Sequence, residues 1–493
     1  MLKQSNCGPA VLAFALAALF LGACTVGPNY KRPAAPVPPA FKEQAPPDFK
    51  EANGWKPAQP GDDMLKGKWW EIYKDPALNA LEEQVSLSNQ NLAQAEATYR
   101  EARAAVRISR AALFPTASAA PAITESRAGG NSGPTSTSGL RSTFTLPIDA
   151  SWAPDLWGNI RRGVTAAAAN AQVSAANLEN ARLLYQAELA EDYFQLHGLD
   201  GDADLLQRTL GDYQEYLTLT QKRKAGGIAS DLDVAQAEAQ LYATRAQLQD
   251  LAVQRAQLEH AIAVLIGKPP AELSIASLVL RNPPPPVPIA VPSVLLERRP
   301  DIAANERQMA AANEQIGIAE AAYYPSLTLG GALGLENSRI TTWFSWPARF
   351  FSVGPSMAET LFDAGRRHAA VAQSQAAFDA TVAGYRQTVL TAFQQVEDNL
   401  AALRVLAEES VTADQSVVSA ERALTVSTAQ YKAGTTAYLT VITAQATALS
   451  AERTAVDLLT RRLTASVLLV QALGGGWDSS QLPTPKDVAS NGK

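Results

Sequence analysis

Along residues 378–403 apolar side chains return every three or four positions: Phe378, Val382, Tyr385, Val389, Phe393, Val396, Leu400 and Leu403. That spacing predicts a helix with a coiled-coil-like seam. The proline-free stretch around it runs from Leu361 to about Lys432, and a second runs from Leu156 to about Lys224. At 1.5 Å per residue each would reach roughly 100 Å. Gly226-Gly227 and Gly434 end these helices, and return helices follow over about 231–266 and 436–473, stopped by Gly267-Lys268-Pro269-Pro270 and Gly474-Gly475-Gly476. A shorter helix precedes each hairpin of helices. One runs from Asp75-Pro76 to about Leu113 and stops at Phe114-Pro115; the other starts near Arg299-Pro300-Asp301 and stops at Tyr324-Pro325.

After each stop the period changes to two. Phe144, Leu146, Ile148, Ala150 and Trp152 alternate with Thr145, Pro147, Asp149 and Ser151; Leu327, Leu329, Leu333 and Leu335 alternate with smaller residues. Weaker alternation appears over 116–124 and 350–358. These segments predict two strand hairpins, about 115–154 and 325–359, each with one apolar face.

The same order therefore occurs twice. Residues 107–123 align with 317–333 at a shift of 210, Leu156 and Arg161-Arg162 align with Leu361 and Arg366-Arg367 at 205, and Gly227-Leu232-Val234-Ala237 aligns with Gly434-Leu439-Val441-Ala444 at 207. A duplicated unit of roughly 200 residues is far longer than a solenoid repeat. It divides the chain into a first repeat (75–280, tip turn about 226–231), a Pro-rich connector (281–296), a second repeat (297–476, tip turn about 433–437) and a tail (477–493).

Only 7% of the 493 residues are aromatic, and the helices are rich in Ala, Gln, Ser and Thr, which suits thin, closely packed helices. A net charge of −6 without a Lys/Arg stripe argues against nucleic acid. At the start, Lys3 precedes an apolar run from Val11 to Leu21 that is too short to span a bilayer and ends in Leu21-Gly22-Ala23-Cys24. Residues 1–23 read as an export signal. Leu-Gly-Ala-Cys resembles the bacterial lipobox, in which Cys24 would be acylated; the alternative is an ordinary signal peptide with an incidental cysteine. Thr25 after the cysteine resembles lipoproteins sorted to the outer membrane. Residues 24–74 read as an extended, lipid-anchored segment, with Trp55, Trp69 and Trp70 marking where it docks.

Four strands with an apolar outer face cannot stand alone in lipid, because a membrane sheet must close on itself. Two, three or four copies would supply 8, 12 or 16 strands, and a soluble sandwich is the alternative. The duplicated plan, the segment Cys-Thr-Val-Gly-Pro-Asn-Tyr-Lys-Arg-Pro, and the turns Lys-Ala-Gly-Gly-Ile-Ala-Ser-Asp-Leu-Asp-Val and Tyr-Lys-Ala-Gly-Thr-Thr-Ala-Tyr-Leu-Thr-Val resemble TolC-type outer-membrane efflux factors, in particular their NodT-like lipoprotein branch. The resemblance covers almost all of the mature chain. It implies a mainly α fold with a membrane β-barrel portion: a homotrimer whose 12-stranded barrel continues into a periplasmic helical tunnel. The implied role is the exit duct of a tripartite drug or toxic-solute pump, docked through its tips on a periplasmic adaptor that is joined to an inner-membrane transporter. No chemistry and no cofactor are implied. Other readings are the duct of a type I protein-secretion or metal-efflux system, or a non-conducting lipoprotein tether.

In that family acidic side chains near the turns line a periplasmic constriction. Asp233 occupies such a position, with Asp231 beside it; Tyr431 and Leu439 are also retained, and Tyr438 adjoins them. Thr440, Thr443 and Thr436 replace the aspartates and the arginine that other members carry. Helix capping explains Asp233 as well as a gate does, and is the favoured reading for Asp231 beside Ser230. Gly227 and Gly434 suit the tight reversals, where the tips would meet the adaptor. Arg161, Arg162, Arg366 and Arg367 read as cations at the membrane–periplasm boundary, with Trp152 and Trp157 in an interfacial belt that also takes in Trp343, Phe344, Trp346, Phe350 and Phe351. His197, His260 and His368 are each isolated in sequence, which gives metal binding no support.

Overall fold

The structure, a computed structural model, describes residues 25–43, 67–127, 140–287 and 295–490. Cys24, Trp55 and the first strand loop (128–139) lie outside them.

The first repeat contains α1 (Pro76–Ser88), α2 (Gln90–Ala111), β1 (Thr116–Ala119), β2 (Ala122–Arg127), β3 (Leu140–Trp152), α3 (Asn159–Ala225) and α4 (Asp231–Leu265). The second contains α5 (Leu295–Arg298), α6 (Pro300–Ala321), β4 (Ser326–Asn337), β5 (Arg349–Ala358), α7 (Arg366–Ala433) and α8 (Tyr438–Ala472), and α9 (Pro485–Ala489) follows. The long helices hold 67 and 68 residues, and both return helices hold 35. Each long helix starts after a left-handed glycine, Gly158 or Gly365, 207 positions apart. The equivalence at this point is therefore 207, and the shift of 205 taken from the paired arginines is corrected: Arg161-Arg162 stand one turn inside α3, whereas Arg366-Arg367 open α7.

The helix expected to run unbroken from Pro76 to Leu113 is divided at Asn89. Its side chain accepts from the Asn91 and Leu92 amides, capping α2, and its Nδ2 donates to Leu265 O at 2.8 Å. In the second repeat Arg299 takes that place and donates from Nη1 to Ala472 O at 3.0 Å. Each repeat thus fastens its first helix to the end of its return helix.

Where the shorter helices meet the long ones lies the main core. The predicted seam is here: Tyr385, Val389, Phe393, Val396, Leu400 and Leu403 are buried, with Phe378 and Val382 against them. A fully buried side chain of this size contributes about 1.5–3 kcal/mol. Trp69 and Trp70 are buried in the same core, edge to face with each other, as are Tyr193 and Phe194. His197 is buried too, its Nδ1 2.8 Å from Asp200 Oδ2; Arg255 donates to Asp200 Oδ1 at 2.6 Å and to Ile275 O at 2.7 Å, and the Leu278 amide donates to Asp200. Burial opposes ionisation of Asp200, but these donors outweigh it and hold its carboxyl at about 2. The node pins the chain leaving α4 against α3.

Glu82, on α1, is fully buried, and neither carboxylate oxygen has a hydrogen-bond partner among the described residues. Burial pushes its carboxyl well above the usual carboxylate range. A raised acid stabilises the fold only while it stays protonated in both states. Stability should therefore fall by about 1.4 kcal/mol per pH unit above ~4.5, until the folded group ionises. Glu82→Leu should unfold at a higher temperature than wild type at pH 7.5 and at nearly the same temperature at pH 4.5. Parallel melting-temperature curves against pH for the two proteins would contradict this.

Candidate functional site

The five strand segments make one antiparallel sheet in the order β1/β2, β3, β4, β5, with β1 and β2 as two pieces of a single edge interrupted at Ala120-Pro121. Register sorts the side chains. The row Ala119, Ile148, Leu333, Phe351 crosses all four positions, and Ala117, Ala150, Gly331, Val353 crosses next to it. Phe144, Leu146, Trp152, Leu327, Leu329, Leu335 and Met357 share that face; the other carries Thr116, Ser118, Asp149, Ser151, Thr328, Gly330, Ser352 and Ser356. On the apolar face Ile148, Leu333, Phe351, Val353 and Met357 are exposed, the last four at 58–86%. A thirteen-residue strand such as β3 extends about 40 Å, or roughly 30 Å of height at a barrel-like tilt, which matches a bilayer core. Among the described residues both outer strands, β1/β2 and β5, keep an unpaired edge.

Aromatic residues separate to the two ends of this sheet. At the far end the β4–β5 loop carries Trp343, which packs on Phe144 and Phe344, and exposed Trp346. At the helix end Trp152 donates from Nε1 to Leu113 O at 3.0 Å, and Trp157 donates to Pro325 O at 2.8 Å and stacks on Tyr324. Each tryptophan holds one of the helix-to-strand stops. Phe350 and Phe351 lie within β5 on opposite faces.

The four arginines divide. Asp155 accepts from the Ile160 and Arg161 amides and pairs with Arg161 Nε at 3.1 Å. Asp363 accepts from the Gly365 amide and pairs with Arg367 at 2.8 Å. Each aspartate supplies the helix cap that a glycine cannot. Arg366 is exposed at the opening of α7. Arg162 does not face the membrane boundary: it is buried, with Nη1 2.7 Å from Glu314 Oε2 and Nε 2.6 Å from Val26 O. The reason is glycine on both sides of it. A Cβ on Gly317 would lie 2.3 Å from Arg162 Nε, and one on Gly27 would lie 2.4 Å from Gly317 Cα.

Arg162 thereby holds a strap, residues 25–43, against the second repeat. Val26 N donates to Trp157 O, Asn313 donates to Pro28 O, and Tyr30 OH donates to Glu306 Oε1 at 2.9 Å. Further along, Arg32 donates to Tyr385 OH, Phe41 packs on Phe393, and Glu397 accepts from the Lys42 and Glu43 amides. The strap starts beside the sheet, where Thr25 touches Gly158, and descends along α6 and α7.

At the opposite end lie the turns. Gly227 and Gly434 adopt φ of 73° and 77°, and a Cβ on either would meet nothing within 4 Å. Glycine is required there by backbone conformation alone, worth about 1–2 kcal/mol. Asp233 forms a capping box: its Oδ2 accepts from Ser230 N at 2.8 Å, and its amide donates to Ser230 Oγ at 3.2 Å. Asp231 pairs with Lys224 at the surface. Leu439 is 58% exposed, whereas Tyr431 and Tyr438 are buried and pack on each other. Burial raises the Tyr438 phenol. Both tyrosines thus build the packing beneath the tip surface and do not project from it. Arg223 was missed in the sequence. It donates from Nη1 to Tyr431 O at 2.7 Å and lies 4.4 Å over the Tyr431 ring, joining the two helical hairpins. Its only signal was the basic last turn Lys222-Arg223-Lys224.

A sheet that is apolar on one face and open at both edges, set above helical hairpins, defines a wall segment of an outer-membrane channel. The chain belongs to the outer membrane efflux protein family, whose model matches residues 81–268 and 291–475. It is 30% identical over 472 residues to outer membrane protein OprJ of Pseudomonas aeruginosa, covering 94% of this chain and 96% of that protein. It is also 30% identical to toluene efflux pump outer membrane protein TtgF of Pseudomonas putida over 460 residues, 93% and 95% of the two chains. Among solved structures, the outer-membrane channel OprN superposes with a TM-score of 0.82 at 30% identity over 92% of this chain and all of that one. The Campylobacter jejuni CmeC channel shares the fold, with a TM-score of 0.85 at 21% identity, over 93% and 96%. The protein resides in the outer membrane and serves efflux.

Proposed function

We propose that three copies close a 12-stranded barrel and pass drugs or toxic solutes from the periplasm to the exterior as the duct of a tripartite pump. One observation carries this: four strands with an outward apolar face end in two unpaired edges, and a membrane sheet tolerates none. Joining β5 of one copy to β1/β2 of the next satisfies both. Three copies, among the counts that strand arithmetic allows, follow from the TolC-type plan. The α3–α4 and α7–α8 hairpins would form the tunnel, and the turns at Gly227 and Gly434 would meet the adaptor that links the duct to an inner-membrane transporter. Relatives named for toluene and antibiotic efflux support the substrate class.

Residues 1–23 are the signal, and Cys24 carries the acyl chains. Its neighbour Thr25 lies at the base of the sheet, where the inner leaflet would be. The repeats span 75–280 and 297–476, joined by 281–296, with 477–493 as a tail.

Exposed Leu439 and capped Asp233 form the closed constriction, and Arg223 restrains it through Tyr431. Purified trimer in a planar bilayer should conduct ions, with Leu439→Ala, Asp233→Ala and Arg223→Ala each opening severalfold more often than wild type. A protein that inserts as a trimer and never conducts overturns the duct. Unchanged opening in all three variants removes these residues from the gate.

A further inference from the structure

The two repeats follow one geometry residue for residue. Thr116 pairs with Ser151 as Ser326 pairs with Ala358, displacements of 210 on the first strand and 207 on the second. The displacement of 207 holds again from Asn159 to Arg366, where the long helices open, and from Asp231 to Tyr438, where the return helices open. Within one chain the repeats meet twice. In the sheet β3 pairs with β4, Asp149 opposite Ala332 and Ile148 opposite Leu333. In the helical wall α3 packs along α8, so closely that a Cβ on Gly198 would lie 2.4 Å from Thr460 Oγ1, and Arg453 donates to Asp202 one turn along. Exchanging the repeats gives the counterparts of these contacts: β5 with β1/β2, and α7 with α4. At the positions of Gly198 and Thr460 then stand Val405 and Val253, two valines left 47% and 56% exposed.

We propose that neighbouring copies meet as the two repeats of one chain meet: Val405 of one copy packs on Val253 of the next, and β5 pairs with the next copy's β1/β2 with Ser356 opposite Ala122 and Pro355 opposite Ile123. The proposal rests on the closure between copies put forward above, and adds the register of the strand seam and the helix contact beneath it. Such a contact joins two different surfaces, so it closes a ring. The register keeps apolar faces together, because Pro355 and Ile123 take the places of Ile148 and Leu333, both on the lipid-facing side. A slip of one residue would set Ser356 beside Ile123. A slip of two in one direction would set Pro355 against Pro121, a row with no amide hydrogen on either strand. In the proposed register Pro121 faces Met357 and Pro355 faces Ile123, so each row keeps a donor. The same exchange brings exposed Leu361 and Phe362, which follow β5, beside Phe114-Pro115 of the next copy. Their counterpart within the chain is already covered: Trp157 stacks on Tyr324 and donates to Pro325 O. Covering these apolar side chains favours association.

The test is cross-linking of the full-length protein in detergent, read on denaturing gels. Opposed residues of an antiparallel pair lie about 4.5–5.5 Å apart at Cα, within disulfide range. Under copper–phenanthroline, Ser356→Cys/Ala122→Cys should therefore give reducible dimers and trimers. Their yield should exceed by at least about fivefold that of Ser356→Cys/Ala120→Cys and of Ser356→Cys/Thr124→Cys, the registers slipped by two. In the helices, Val405→Cys/Val253→Cys should link through a short bismaleimide, whereas Val405→Cys/Tyr242→Cys, displaced about 16 Å along α4, should not. Each single-cysteine variant should stay unlinked, which accounts for Cys24. Stronger linking at an offset pair overturns the mapping. So does an expected pair that stays unlinked in a protein that is trimeric by native mass spectrometry and conducts in a bilayer, and the duct then stands. Monomeric protein without conductance removes the duct as well.

Discussion

Arg162→Ala is expected to lower the stability of the folded subunit by about 3–5 kcal/mol, because it leaves Glu314, largely shielded from water on α6, without its cation. The effect reaches beyond the ion pair. Val26 O loses the donor at 2.6 Å, and the two glycines that meet at Arg162 lose the side chain filling the space around them. The strap should then leave the body from its membrane end, so limited proteolysis should cut within residues 25–43 much faster in Arg162→Ala than in wild type. Arg162→Met combined with Glu314→Leu removes both charges and should recover part of the melting temperature but not the strap's protection, since methionine cannot donate to Val26. Gly27→Ala should mimic the proteolytic phenotype with Arg162 intact, because its Cβ has no room against Gly317. Unchanged cleavage in both Arg162→Ala and Gly27→Ala would show that the strap is held elsewhere, by its contacts with Asn313, Glu306, Tyr385, Phe393 and Glu397.

What could be read from the sequence was what repeats in one dimension. Helix and strand periods, the glycines that end the long helices and the prolines that stop the short ones are all local signals. They gave the order of the elements and the apolar faces of all four strand positions. Contacts between distant segments were illegible for the same reason. Nothing beside Arg162 in sequence announces Val26 and Glu314, and a basic pair after a strand reads as interfacial until a largely shielded carboxylate appears opposite one member. Asn89 carried a genuine cap signal, yet Ser88-Asn89-Gln90 lacks the proline or glycine that marks a break, and only the partner Leu265 O explains its place. Tyr431 and Tyr438 stand beside turn glycines and so looked like tip surface; Arg223, from the other repeat, covers one and fixes the other beneath it. His197, isolated in sequence, proved to be part of a buried node with Asp200 and Arg255.

The two faces of the sheet make the second large prediction, and neighbouring residues on one strand test it. Leu333 points to the apolar side, in the row with Ile148 and Phe351, while Ala332 is paired with Asp149 and Ser352 on the other. Leu333→Arg places a guanidinium near the middle of the lipid-facing wall, at about 2–4 kcal/mol per copy. With three copies in one barrel the cost approaches roughly 6–12 kcal/mol, comparable to the whole stability of an ordinary domain. Folded trimer, measured as the heat-resistant band after refolding into vesicles, should fall at least tenfold. Ala332→Arg adds the same charge one residue away, into a water-filled lumen, and should insert close to wild type while changing ion selectivity. Snorkelling could relieve Leu333→Arg only from nearer the bilayer edge, because the guanidinium reaches too short a distance from mid-strand. If both variants insert equally well, or Ala332→Arg proves the more damaging, the face running through Ile148, Leu333 and Phe351 does not meet lipid, and the sheet must instead pack its apolar side against protein.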